Sequence, residues 1–338
     1  MRVPPKWVRR PIAYLTIYLL FAITVLASPV LVIAAVIASY RMPGRWRALR
    51  LFGFAMTGLF VEAVAVLVAG ILWLASGCGF ALRSPRFQRA HYAVLRWALA
   101  TLIASAKRLF HLEVEIEGPD PASEAALPPD RPMLVLCRHA GPGDSLLVMD
   151  ALLSQARRRP RVVLKDTMQL DPTVDLYLNR LPAKFVNPNP GEGENMTDGI
   201  AALARDMGRD DALLIFPEGG NFTPKRRERA IRRLREAGRT EAAELAMSMR
   251  HVLPPRPAGV SAALDAAPTA DAVFVAHTGL DHMATVADIW AELPQDKVLR
   301  SRWRVDAAEG IGRTEDERVR WLNEHWIDLD EWIDAKNA

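Results

Sequence analysis

The sequence predicts an α/β domain carried on an N-terminal, membrane-embedded helical hairpin, and three observations predict it. Residues Pro11 to Tyr40 carry no charge, and Leu51 to Ala75 carry only Glu62. Beyond Leu112, short apolar runs alternate with helical stretches, the pattern of strands and helices packed in layers. Two compact loop motifs, Cys137-Arg138-His139-Ala140-Gly141-Pro142-Gly143-Asp144-Ser145 and Phe216-Pro217-Glu218-Gly219, each follow an apolar run. Strand ends are where α/β domains place their chemistry.

Taken in order, residues 1–86 read as an anchor, with apolar helices at about 11–40 and 51–76, and residues 87–338 as the folded domain. About 20 apolar residues cross a bilayer, and both runs exceed that. Basic clusters stand before, between and after them: Lys6, Arg9 and Arg10; Arg41, Arg45, Arg47 and Arg50; Arg83, Arg86 and Arg89. Positive charge favours the cytoplasmic side, and three clusters around two runs put one outside if both helices span. Pro29 and Glu62 offer a second arrangement, a kinked or re-entrant pair held in one leaflet. Both arrangements set the domain beside cytoplasmic headgroups. From Phe87 to Phe110 a helix with Arg89, Arg96, Lys107 and Arg108 either lies at the interface or joins anchor to domain.

Strands are expected at Leu112–Glu117, Met133–Cys137, Arg161–Leu164, Lys184–Val186, Ala212–Phe216 and Ala272–Ala276, and helices at about 145–157, 195–208, 227–249 and 315–333. The stretch 118–131, rich in Pro, Asp and Ala, reads as a surface connection. In the last helix Val319, Leu322, Trp326, Leu329 and Ile333 recur at helical spacing and form one face for packing on the sheet.

Composition narrows the partners. The chain has 338 residues, half of them apolar, and a formal charge of +4 with its basic residues scattered among 39 acidic ones. No stripe for nucleic acid stands out, and membrane lipid is the natural partner. Cys78 and Cys137 lack metal-ligand spacing and make no disulfide framework, which fits a reducing compartment and no metal.

The chemistry lies in the two motifs. His139 is a base for a hydroxyl, and Gly141 to Gly143 turn Asp144 back toward its ring. With the order anchor, His-x4-Asp, Phe-Pro-Glu-Gly, the chain resembles the membrane-bound glycerolipid acyltransferases of the lysophosphatidic acid acyltransferase family, over about residues 90–335. Four blocks mark that family. The first matches His139 to Asp144, the third Phe216 to Gly219, and the fourth Val252-Leu253-Pro254-Pro255-Arg256-Pro257-Ala258-Gly259. Phe222-Thr223-Pro224-Lys225 and Trp321-Leu322 are similar to the lysocardiolipin-type branch. The sequence departs from the pattern twice. Gly220 and Asn221 stand where the family has Thr and often Arg, and Ala183-Lys184-Phe185-Val186-Asn187-Pro188 lacks the arginine of the second block.

The resemblance implies a mixed sheet flanked by helices and acyl transfer from acyl-CoA, or from an acyl carrier protein, to a lysophospholipid. The acceptor it points to most directly is 1-acylglycerol 3-phosphate, with lysocardiolipin or lysophosphatidylinositol as others. His139 is then the general base and Asp144 fixes its tautomer. No cofactor or nucleophilic serine is needed, and Ser145 starts a helix. Backbone N–H groups at Gly141–Gly143 or Gly219–Gly220 are candidate oxyanion donors. Glu218 is expected to hold a basic residue or an acceptor hydroxyl beside Gly219, and Lys165, Lys184, Lys225, Arg226, Arg227 and Arg256 are the substitutes for the missing phosphate arginines. Two other readings share these residues: a lipid hydrolase or transacylase, and a catalytically silent membrane scaffold.

Overall fold

The computed structural model describes residues 3–42, 44–118, 130–141, 143–187, 196–279, 281, 290–292 and 296–337. Seven strands, β1 (Leu112–Glu117), β2 (Met133–Cys137), β3 (Arg159–Lys165), β4 (Ala183–Val186), β5 (Asp211–Ile215), β6 (Asp271–Thr278) and β7 (Lys297–Asp306), form one sheet in the order β1-β7-β6-β2-β5-β3-β4. β2 to β6 run parallel; β7 is antiparallel to β6 and parallel to β1, so the sheet is mixed. Among the described residues it is accompanied by the α-helices α1 (Lys6–Arg41), α2 (Arg47–Ala75), α3 (Pro85–Phe110), α4 (Asp144–Asp150), α5 (Pro172–Leu178), α6 (Met196–Ala204), α7 (Pro224–Glu236), α8 (Thr240–Ser248), α9 (Pro257–Ala266) and α10 (Glu315–Asn337).

β2 and β5 are buried at every position. That is why they read as unbroken apolar runs: a parallel sheet covered on both faces has no polar side. The alternation of a strand still sorts their side chains. Met133, Val135 and Cys137 join Ala65, Leu95, Leu152 and Tyr177 in one layer, and Leu134 and Leu136 join Leu203, Val260, Trp326 and Ile333 in the other. The α10 residues Leu322, Trp326, Leu329 and Ile333 are buried against the sheet, with the Trp326 indole N–H donating to the Leu253 carbonyl at 3.1 Å.

The structure differs from the sequence reading at several places. β7, Lys297-Val298-Leu299-Arg300-Ser301-Arg302-Trp303-Arg304-Val305-Asp306, was not expected; three arginines on alternate positions mask its apolar side. The stretch 227–249 is two helices, because the chain reverses at Gly238, whose φ of +70° is open to glycine. A helix starts at Pro257, inside the proline-rich fourth block, with proline in the first turn where its missing N–H costs nothing. Residues 119–129, Pro142 and Pro188 lie outside the described residues.

α1 and α2 are long and apolar enough to cross a membrane by length and composition. At about 1.5 Å per residue, α1 exceeds the roughly 30 Å hydrocarbon core. Its outer face exposes Ile12, Leu15, Leu19, Ile23, Leu26, Val30 and Ile33. Such a stripe marks an interaction with lipid or protein. The inner face is bound to the domain. Arg9 and Arg10 pair with the buried Asp175 at 2.5 and 2.7 Å. Glu62 accepts from the Thr173 hydroxyl at 2.9 Å, Tyr177 donates its hydroxyl to the Ala65 carbonyl at 2.8 Å, and Arg180 donates to that of Ala69 at 2.9 Å. At the far end of α2, Arg50 donates to the Leu109 carbonyl at 2.5 Å. α3 packs along α2 and feeds directly into β1, so it joins the hairpin to the sheet.

Candidate active site

The carboxyl ends of three neighbouring parallel strands, β6, β2 and β5, bring the two motifs together. His139 follows β2, Glu218 follows β5, and the two loops are joined where the Phe222 N–H donates to the His139 carbonyl at 2.6 Å. The turn after His139 carries Asp144 to the start of α4, and Nδ1 of His139 faces Oδ2 of Asp144 at 3.5 Å. That is long for a hydrogen bond, as catalytic contacts often are without substrate. A hydrogen on Nδ1 directed at the carboxylate leaves the lone pair on Nε2. The imidazole is 18 % exposed, so solvent reaches it. Phe216 packs on the ring with centroids 4.5 Å apart, which limits its rotation.

Asp144 is buried, and its Oδ2 also accepts the N–H groups of Ala140 and Gly141 at 2.5 and 2.6 Å. Burial works to raise its carboxyl; the nearby His277, the His139 contact and the Gly141 N–H outweigh burial and hold it below the usual carboxylate range. The acid therefore stays ionised at neutral pH. Those two N–H groups are occupied, so the expected oxyanion role of the first turn does not extend to Ala140 or Gly141. In the second turn the Gly219 N–H donates to Phe216 at 3.0 Å, which leaves that of Gly220.

Glu218 is placed differently from the expectation. Its Oε1 accepts the His139 N–H at 3.0 Å and its Oε2 the Leu253 N–H at 2.9 Å, and the side chain is buried. Burial pushes its carboxyl up to about 8, against the two N–H bonds and Arg138. It ties the first block to the fourth through backbone and holds neither a basic side chain nor a space for a hydroxyl.

The candidate phosphate ligands divide. Arg256 lies flat on Gly219: a Cβ there would stand 2.9 Å from the guanidinium carbon, and the φ of +70° also requires glycine. Arg226 lies on Gly220, where a Cβ would stand 2.9 Å from Nη1. Gly220 thus makes room for an arginine reaching back from the first turn of α7, whose Nη1 also donates to the Asn221 carbonyl at 3.0 Å. Arg227 instead donates to the carbonyls of Met249 and Met247 at 2.6 and 2.7 Å. Lys225 is exposed on α7, and Lys165 is exposed at the end of β3. Lys184, on the edge strand β4, packs its stem on Gly199 of α6, away from the motif edge.

The sequence reading missed three residues of the site. Arg138, fully buried, donates to the carbonyls of His277 and His251 at 2.6 and 2.9 Å and pairs with Asp281. Phe216 was seen as part of a motif but not as a platform for the imidazole. His277 is far away in sequence and only the pairing of β6 with β2 brings it near. Beside these groups a cavity of about 460 Å³ runs over one face of β1, β7, β6 and β2, lined by Ile103, Val114, Met133, Leu147, Val273 and Trp303, and reaches Asp144 and His277.

A family profile described as Acyltransferase matches residues 113–270. The crystal structure of the 1-acyl-sn-glycerophosphate (LPA) acyltransferase PlsC from Thermotoga maritima superposes with a TM-score of 0.52, covering 86% of this chain and 98% of that one at 15% sequence identity, a likeness of fold. A search of curated proteins gave no match. Residues 113–270 thus match an acyltransferase family profile, and the chain has a fold like that of the LPA acyltransferase structure.

Proposed function

We propose that this protein transfers a fatty acyl group from acyl-CoA to the free hydroxyl of a lysophospholipid, with 1-acylglycerol 3-phosphate as acceptor and phosphatidic acid as product. The observation that carries the reading is the His139 ring facing the buried Asp144 carboxylate at 3.5 Å, beside an apolar cavity. Nε2 of His139 takes the hydroxyl proton as that oxygen attacks the thioester carbonyl. The C–O bond forms, the C–S bond breaks, and the imidazolium returns the proton to the departing thiolate. Asp144 holds the tautomer and balances the imidazolium charge. The Gly220 N–H is the donor for the developing oxyanion.

Two features support the substrate class. The cavity has the size of a small-molecule site, and its lining suits an acyl chain. Arg256 on Gly219 and Arg226 on Gly220 bring two guanidiniums to this turn, the group that grips a phosphate. They take over the work of the arginines absent from the second and third blocks. The apolar stripe of α1 lies in the membrane, with the domain on its cytoplasmic side, and brings the site to its lipid acceptor. An acyl carrier protein is the alternative donor.

The test uses the full chain in phospholipid vesicles with one acyl-CoA and a mixed lysolipid pool. Free CoA should appear only when lysolipid is present, with phosphatidic acid as the main new lipid by mass spectrometry. His139→Ala should abolish release while membrane binding persists. Thioester hydrolysis independent of acceptor would replace the reading with a hydrolase, and silence across the pool with lipid binding retained would leave a scaffold.

A further inference from the structure

The carboxylate beside His139 has a second imidazole on it. His277, near the end of β6, places Nε2 3.7 Å from the same Oδ2 of Asp144 that His139 faces. That Nε2 also lies 3.1 Å from the Arg138 carbonyl. A carbonyl only accepts, so Nε2 carries a hydrogen and the neutral ring keeps its lone pair on Nδ1. Arg138 returns the contact through its 2.6 Å bond to the His277 carbonyl. The two residues thereby clamp the chain immediately before His139 to the end of β6.

The surroundings isolate this trio. The His277 side chain is 13 % exposed and, with Asp144, lines the apolar cavity, whereas His139 packs on Phe216. The charged and titratable groups nearby are Cys137 and Arg138 from β2 and its loop, Glu218 after β5, and Asp281 after β6, which pairs with Arg138. Lys107 of α3 and Arg300 and Arg302 of β7 line the same cavity. Among the described residues, Asp144 is the one carboxylate within ion-pair distance of either imidazole. One negative charge shared by two imidazoles cannot stabilise two imidazolium ions equally, so a proton on either ring disfavours a proton on the other.

We propose that His277 is a positioning residue for acyl transfer that works in its neutral form. Its bond to Arg138 fixes where His139 stands, and its lack of charge leaves the Asp144 carboxylate to the His139 imidazolium. The inference rests on His139 being the base.

The experiment records kcat against pH, over about pH 5 to 8, at saturating substrates for the wild type, His277→Gln and His277→Ala, with His139→Ala in parallel. In His277→Gln the acid limb should be displaced from that of the wild type, because the amide keeps an N–H for Arg138 but takes no proton. His277→Ala should lose about tenfold in kcat, the worth of one hydrogen bond, with KM nearly unchanged, and His277→Gln should recover most of it. Full wild-type kcat in His277→Ala, or a loss in His277→Gln as large as that in His277→Ala, overturns the proposal. So does a profile in either variant that superposes on the wild type. Normal turnover in His139→Ala would instead remove the base assignment itself, which separates the two failures.

Discussion

Replacing Asp144 by asparagine isolates the charge on which the proposed chemistry depends. The amide oxygen can still accept the Ala140 and Gly141 N–H groups, now bonded at 2.5 and 2.6 Å, so the turn keeps its shape. The amide nitrogen then falls where Oδ1 stands, buried and without a partner, at a cost of about 1–3 kcal/mol in stability. The larger loss is in the transition state. An imidazolium on His139 at 3.5 Å from a full charge is stabilised by about 5 kcal/mol at an effective dielectric near 20. Removing most of that lowers kcat by about three orders of magnitude, with KM little changed, since the charge matters only once the ring is protonated. Thioester-dependent release of free CoA at saturating lysophospholipid measures it, with a thermal melt to confirm folding. A fall of less than about tenfold in a folded variant would refute the reasoning and reduce Asp144 to a cap on its turn.

Glu218→Gln keeps the size of this buried side chain and removes its ionisable proton. The same side chain sets a pH dependence. Burial holds its proton up to about 8, where an exposed glutamate loses it near 4.5. Between those values the native state binds the extra proton, so stability should decline as pH rises, by up to about 1.4 kcal/mol per unit; Glu218→Gln should lack that slope. Arg226→Ala and Arg256→Ala should each raise KM for a phosphate-bearing acceptor by about tenfold or more and leave kcat within a few fold; unchanged KM in both would take the phosphate away from this turn. Asp175→Asn leaves Arg9 and Arg10 without their shared partner and should cost about 3–5 kcal/mol, as broken buried pairs do, seen as faster proteolysis at the hairpin. Identical digestion would show the pairing to be incidental.

Much of this fold is legible in the residues. β2 and β5 announce themselves because a strand buried on both faces must be apolar throughout, and α1 and α2 because their long runs are almost free of charge. The two motifs are legible because each packs its chemistry into a few consecutive positions. What stayed hidden depends on distant pairing. β7 carries a period-two signal in Leu299, Ser301 and Trp303, but Arg300, Arg302 and Arg304 between them read as a polar loop. His277 belongs to the site only because β6 lies next to β2, and no local pattern encodes strand order. The destination of the Glu218 oxygens was equally out of reach, since both partners are backbone groups that every residue possesses.

The way α2 is stitched to the domain fixes more than its own position. Ala65, Val66 and Ala69 belong to the same packed layer as the centre of the sheet, and bonds hold the helix near both of its ends. With no slack between float and hull, a bilayer that holds the hairpin would hold the carboxyl edge of the sheet at one set draught. A detergent that prises the hairpin loose should therefore disturb the sheet as well, and extraction and inactivation should proceed together.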